Sequence, residues 1–266
     1  MKEITSMKIN LHCHSNYSDS YVSILEMAQE HQKLGFSAFV VTDHCYPFLI
    51  KEGAKNKRSI TSFDQFCEQN KELEMASKKL DYPCIQGIEL ALFEEEVLVF
   101  GTDTIKKIFE YANNSNTKYL EKYGEFNSYH KVLSKKIANI LKENKKDTAI
   151  ILCHPRLLSK NQWEQNIIFN LIDGYEFQNN RTYHFSDETN LEAKYKWERP
   201  IPPELMNKKK FYNSDAHILK QISNAEGNFH SSKICTLDDL IKFIKTPTLN
   251  ISMVNQKIIQ DSKQKS

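Results

Sequence analysis

The sequence predicts an α/β fold in which strands alternate with helices and close into a barrel. Three observations carry this. Short apolar runs typical of buried strands recur along the chain, and amphipathic stretches of helical period separate most of them. Strands joined by helical crossovers pair in parallel, which places the helices outside the sheet. Five of the strand-like runs stop at potential ligands: 9–11 at His12 and His14, 39–42 at Asp43 and His44, 84–88 at Glu89, 149–153 at His154, and 211–214 at Asp215 and His217. In a barrel the strand C-termini converge on one rim where such residues can meet, whereas an open sheet would spread them along a line. No glycine-rich phosphate loop follows the first strand, which argues against a nucleotide-binding doubly wound sheet.

Taken in order, the chain opens with a strand-like run ending at His12-Cys13-His14. Alternate side chains on a strand share a face, so His12 and His14 lie roughly 6 to 7 Å apart on one side, a chelating distance. Ser23 through Glu26 has the pattern of a capping box, and Gly35 can end the helix that follows. A strand over 37–42 leads to His44, and residues 45–60, with Pro47 and Gly53, predict a long loop beside the site. Ser62 caps a helix to about Leu80, and Pro83 precedes the strand that reaches Glu89. A strand over 97–101 is followed by helical patterning at 104–112 and 128–143, with the Asn-rich stretch 113–117 expected as exposed loop. Strand 148–153, helix 161–171, strand 174–178, a helix over 188–198, strand 211–215 and a terminal helix opened by Thr236 complete the pattern. One domain is expected, with its core at about 8–246 and a partly frayed tail over 247–266.

The 266 residues suffice for a sizeable core, and 40% hydrophobic with 26% charged residues is an ordinary globular balance. A net charge of +2 favours no class of partner, and the lysine clusters at 55–58, 135–136, 145–146 and 208–210 read as solvated surface. Six cysteines without framework spacing predict a reducing compartment. No run is long and apolar enough for a membrane span, so a soluble, cytoplasmic protein without membrane partners is expected.

The set His12-x-His14 with Ser18-Asp19, Thr42-Asp43-His44, Gly87-Ile88-Glu89, His154-Pro155 and Ser214-Asp215-Ala216-His217 resembles the polymerase and histidinol phosphatase (PHP) family, in the right order over residues 8 to about 220. The resemblance implies a distorted (β/α)7 barrel that binds two or three divalent metal ions at its C-terminal rim and hydrolyses phosphate esters. It implies that His12 and His14 bind one ion with Asp215, that Glu89 bridges this ion to a second, that His154 belongs to the second, and that Asp19, His44 and His217 hold a third. Glu176 and Asn179 look like supporting residues on the penultimate strand. Members of the family usually place a histidine on the strand after the bridging glutamate. None lies between 89 and 130 here, and Glu96 or Leu98 takes the position according to register.

Such ions would acidify bound water toward a pKa of about 7 and stabilise the oxygens of an in-line displacement. Nitrogen and oxygen ligands without thiolate suit zinc, manganese or iron. Arg156 reads either as a clamp on a phosphate oxygen or as a surface charge. His31 and His130 read as structural; His184 and His230 fall in loops near enough to the rim to be weighed as substrate contacts. The leading expectation is a phosphomonoesterase acting on a phosphorylated small molecule. The alternatives are a phosphodiesterase acting on DNA or RNA ends and a metal-binding partner module without catalysis.

Overall fold

The computed structural model describes residues 7–51, 53, 56–92, 95–119, 126–154, 167, 169–179, 203–223, 225 and 227–247. The helix expected over 161–171 falls largely outside them. The helix over 188–198, Arg156, His184 and the tail beyond Pro247 fall outside them entirely.

Strand β1 (Met7–Ile9) is followed by helix α1 (Ile24–Lys33), strands β2 (Phe39–Val41) and β3 (His44–Cys45), and helix α2 (Phe63–Leu80). Strands β4 (Cys84–Gln86), β5 (Ile88–Ala91) and β6 (Glu96–Phe100) come next, then helices α3 (Thr102–Tyr119) and α4 (Phe126–Glu143). The chain continues through β7 (Ala149–Leu152), β8 (Gly174–Asn179), the short helix α5 (Pro203–Met206), β9 (Lys209–Asn213), α6 (Leu219–Ile222), β10 (Asn228–His230) and α7 (Leu237–Lys245). Local chemistry sets the helix starts. Ser23 and Glu26 form the reciprocal cap of α1, Ser62 accepts from Gln65 N–H at the head of α2, and Thr236 does the same from Asp239 at α7.

The strands pair in the order β3-β5-β6-β7-β8-β9, with β2-β4 and β1-β10 as further pairs. Bonds from Gly87 N–H to Val41 O and from Glu89 N–H to Asp43 O carry the parallel pairing of β2-β4 into that of β3-β5, so 39–45 and 84–91 act as two continuous, kinked strands. Residues 8–14 lie between the first and last of these. Ser37 and Thr42 donate to Lys8 O and Cys13 O on one side, and His14 N–H donates to Ala216 O on the other.

The run of parallel pairs is interrupted at β6, which is antiparallel to both β5 and β7. Only residues 92–95 separate β5 from β6, too few for a crossover, so the chain must fold back on itself. Strand β6 therefore starts at the rim where its neighbours end. Its successor β7 follows two consecutive helices rather than one, and runs with β5 again.

Two buried faces alternate along the strands. Leu98, Phe100, Ala149, Ile151, Phe211, Val40, Ile85 and Leu11 share one cluster, closed at the bottom by Leu240 and Ile244 of α7. Val97, Val99, Ile150, Leu152, Ile88 and Leu90 face the other way, against Phe66, Ile105, Phe109, Leu133 and Ile137 of α2, α3 and α4. A strand buried on both sides reads as a continuous apolar run, as these do.

Two expectations are corrected. The stretch 113–117 is helical within α3, and Asn116 is buried, its amide donating to Pro47 O at 2.9 Å and Ile50 O at 2.5 Å. Those bonds satisfy carbonyls of the turn at 47–49 and reward the helix for extending through a weak helix former. The loop expected beside the site is thereby pinned, and Pro47 and Ile50 near its start and 59–61 at its end are buried. His230 lies in β10 opposite Met7, away from His12 and His14, bonded to Ser37 Oγ at 2.8 Å and Ser232 O at 2.6 Å.

Gly87 occupies an inward position between Ile85 and Glu89, where a Cβ would stand 2.6 Å from the Phe100 ring and 3.0 Å from Val99 O. Gly87→Ala is therefore expected to cost about 1–3 kcal/mol through overpacking, read as a lower denaturation midpoint, because a backbone atom stands in the way as well as a ring. His31 offers a pH test. Its Nδ1–H donates to Met27 O, Asn10 faces its Nε2, and burial lowers its pKa to about 4. The unfolded chain takes up this proton first, so native stability should decline as pH falls from about 6.5 toward 4. Denaturant titrations at pH 7 and pH 5 should show a smaller decline in His31→Leu than in the parent.

Candidate metal centre at the strand ends

The strand ends bring all eight expected ligands to one rim. Glu89, in β5, is the hub. Its carboxylate lies 3.3 Å from His12 Nε2, 3.4 Å from His14 Nε2, 2.6 Å from His44 Nδ1 and 2.9 Å from His154 Nε2. Asp215 Oδ1 stands 3.1 Å from His14 Nε2 and 3.5 Å from His12 Nε2. On the outer side, Asp19 Oδ1 lies 2.8 Å from His217 Nε2 and 3.5 Å from His44 Nε2. Among the described residues four groups of donor atoms are compact enough to grip one ion: His14, Asp19, His44 and His217; His12, Glu89 and His154; His12, His14 and Asp215; and His44, Glu89 and Glu96.

The backbone is bent to make this possible. Asp215 adopts φ +50°, a left-handed conformation that a non-glycine residue accepts only at a cost, and short polar side chains such as Asp tolerate it best. The turn directs Asp215 to His14 while His14 N–H holds Ala216 O. Sequence reading has no access to such a dihedral.

Register settles the position after Glu89. Leu98 is the direct partner of Glu89 but is fully buried in the inner apolar cluster. Glu96, two residues nearer the rim on the same face, lies with its Oε2 3.4 Å from His154 Nε2 and groups with His44 and Glu89. The hairpin that reverses β6 is what delivers it there.

Around these residues sits a layer of neutral and acidic groups that fixes ring orientation. Glu176, fully buried on β8, accepts from His12 Nδ1–H and Asn213 Nδ2 through one oxygen, and from His154 N–H and Asn179 Nδ2 through the other, at 2.8–3.0 Å. With Nδ1–H so engaged, His12 turns its Nε2 lone pair to the centre. His217 does the same by donating Nδ1–H to Asp215 O at 3.0 Å. Asp43 serves the loop: it accepts from Ser15 N–H at 2.7 Å and from Ser15 Oγ at 2.5 Å, and also from Ser18 Oγ and Gln69 Nε2. Burial raises its pKa to about 6 against the pull of those donors. Asn213, Asn10 and Gln69 escaped sequence reading as site residues, and Asp43, read there as a potential ligand, holds the loop instead. Asn213 carried a usable signal, since it precedes Asp215 by two and so shares its face.

Electrostatics show what the rim lacks. Burial alone would depress the imidazoles, yet the charges of Glu89 and Asp19 lift His44 to about 11, and Glu89 lifts His154 to about 9. His14 moves the other way, lowered to about 3 by burial and by its neighbours His44 and His217. Burial opposes ionisation of Glu89 and Asp215 too, but the surrounding histidines hold both below the usual carboxylate range. Negative charge buried at this density demands cations, and protons on histidine are one source of them. Divalent ions fit better on a separate observation. His44 Nδ1, Glu89 Oε2 and Asp19 Oδ1 are buried without a partner in hydrogen-bond geometry, although the first two stand 2.6 Å apart and the third lies 2.8 Å from His217 Nε2. Unsatisfied buried polar atoms cost about 1–3 kcal/mol each, a cost that coordination of an ion removes.

A family profile described as PHP domain matches residues 10–195. The DNA polymerase/3'-5' exonuclease PolX of Bacillus subtilis (strain 168) is 24% identical over 174 residues, which is 64% of this chain and 28% of that protein. The chain thus spans little over a quarter of the length of this curated relative. Among solved structures, the lesion-specific endonuclease PfuEndoQ from Pyrococcus furiosus aligns with TM-score 0.46 at 18% identity, covering 91% of this chain and 56% of that one. PsfC from Pseudomonas syringae PB-5123 aligns with TM-score 0.43 at 12% identity, covering 89% and 88%.

Asp43→Ala should unfasten the loop that carries Asp19, leaving Ser15, Ser18 and Gln69 donors without their acceptor. A fall in stability of roughly 2–4 kcal/mol, with faster amide exchange over 15–19, is the expected result. Unchanged exchange there would assign the anchoring of the loop to other contacts.

Proposed function

The chain belongs to the PHP domain family, and from that premise we propose that it is a metal-dependent hydrolase of phosphate esters, with phosphomonoesters as its favoured substrates. The observation that carries this reading is the meeting of seven chain segments at one rim, where imidazole and carboxylate atoms face one another without enough protons or donors to satisfy them. We further propose that the strands close into a distorted seven-stranded barrel. The hydrogen bonds that flank residues 8–14 and the apolar cluster shared by β1, β2, β4, β6, β7 and β9 support this.

In the proposed assignment His12, His14 and Asp215 hold one ion, Glu89 and His154 share a second with it, and Asp19, His44 and His217 hold a third. Zinc, manganese or iron suits these donors. Divalent ions there supply Lewis acidity, which acidifies water and neutralises charge on a phosphoryl group. The chain's own residues contribute order and exclusion. Glu176 and Asp215 O keep the lone pairs of His12 and His217 aimed inward, and Asp43 fixes the loop bearing Asp19. The buried walls keep bulk water from all but the outer side, where Asp19 and Glu96 retain partial exposure. Arg156 is retained as a proposed clamp on the phosphoryl group.

A phosphodiesterase acting on nucleic-acid ends is the second reading, favoured by the match to the polymerase/exonuclease of Bacillus subtilis. The net charge of +2 is compatible with a small substrate and does not by itself decide against nucleic acid, whose contacts rest on phosphate neutralisation by local basic side chains. Among the described residues no helix is long and apolar enough to cross a membrane, and all six cysteines are free; the reducing, cytoplasmic setting stays part of the proposal.

Loaded with manganese or zinc, the protein should hydrolyse a chromogenic phosphomonoester faster than the corresponding diester, with little response to salt. Chelation should abolish turnover, and His12→Ala or Asp215→Ala should lower it at least a hundredfold while the circular dichroism spectrum is retained. Faster diester cleavage that falls steeply with salt would establish the nuclease instead. Bound metal without turnover on either ester would leave a binding module.

A further inference from the structure

We infer that Glu96 is a metal ligand, and that together with Glu89 and His154 it makes the middle ion site prefer an oxygen-seeking cation of the manganese or magnesium class over zinc. The inference rests on the metal-dependent reading above and deepens it. Glu96 has no reason to be at the rim other than the reversal of β6: had that strand run with its neighbours, residue 96 would lie at the closed end. Its Oε2 is 3.4 Å from His154 Nε2, and His154 Nε2 is in turn 2.9 Å from Glu89 Oε1. One oxygen of Glu96, one of Glu89 and one nitrogen of His44 all lie within 4.8 Å of one another.

The independent pointer is Glu89 itself. It is buried, and its Oε2 meets no partner in hydrogen-bond geometry, as does His44 Nδ1 beside it. Both atoms face the space that Glu96 borders. A cation held between Glu89 and Glu96 satisfies the first of them and relieves the repulsion between two carboxylates brought this close, while His154 reaches the other oxygen of Glu89.

The donor set decides the preference. Even with His12 counted, two carboxylates against two imidazoles is richer in oxygen than the outer group, which has three imidazoles against the carboxylate of Asp19. Oxygen donors suit magnesium and manganese, and imidazole suits zinc. Glu96 is also partly exposed, with 23% of its side chain open to solvent, so this ion faces water on one side. The rim thus combines sites of different hardness, and the middle one is filled by a harder ion than its neighbour.

The test uses the full chain, stripped with chelator and reloaded. Manganese is counted by calorimetric titration and by paramagnetic resonance in the parent, Glu96→Gln, Glu96→Ala and Glu96→His, with thermal melts confirming that each is folded. Glu96→Gln keeps the shape and removes the charge, so it covers the case in which Glu96→Ala loosens the hairpin. The expected result is one manganese fewer per chain, or at least tenfold weaker binding of one, in Glu96→Gln and Glu96→Ala. Glu96→His should bind zinc at that site at least tenfold more tightly relative to manganese than the parent does. Equal counts and affinities in parent, Gln and Ala variants would overturn the inference and leave the phosphoesterase reading intact. A parent chain that takes up no divalent ion would overturn both.

Discussion

Everything at the rim depends on one carboxylate being surrounded by four imidazoles. Glu89 touches His12, His14, His44 and His154, which arrive from three other segments of the chain. A buried carboxylate is tolerated only when paired, and a cluster of buried imidazoles only when something negative stands among them. Each half therefore makes the other possible. Because Glu89 is fixed by the parallel bond of its N–H to Asp43 O, the pairing of β3 with β5 determines where the centre lies.

Support for that centre is mostly uncharged. Asn10 donates to Ser214 Oγ at 2.6 Å and accepts from Ser214 N–H at 3.0 Å, which fastens the segment before His12 to the segment before Asp215. Asn213 reaches Glu176 and also accepts from Leu11 N–H. Amides serve here because each both donates and accepts, and so can bridge two strands without adding to the charge. Glu176 is the exception. It is fully buried and takes four hydrogen bonds, and the positive character of His12 and His154 offsets the penalty of its burial.

Much of this was legible in the sequence because ligands sit where apolar runs end. The capping box at Ser23, the caps at Ser62 and Thr236 and the strand positions were readable from local chemistry, and the family was readable from the ordered motifs. What escaped was whatever depends on long-range pairing. The reversal of β6 was implicit in the four residues between Ala91 and Glu96, yet an apolar run reads the same in either direction. The burial of Asn116 was hidden because its value lies in two carbonyls near residue 50, not in its own helix. The left-handed turn at Asp215 has no local signature, since Asp is as common in ordinary loops. The choice between Glu96 and Leu98 needed the register itself.

The placement of residues 8–14 between the strands ending at Thr42 and at Ala216 bears on how the chain is born. His12 and His14 emerge from the ribosome first, but their neighbours Asp215 and His217 follow some 200 residues later, as do Asn213 and Ser214, which anchor them. Contacts of such separation close slowly and late. During synthesis the histidine pair therefore precedes its partners, and the centre comes into being only when the segment from β9 to His217 is laid beside residues 8–14.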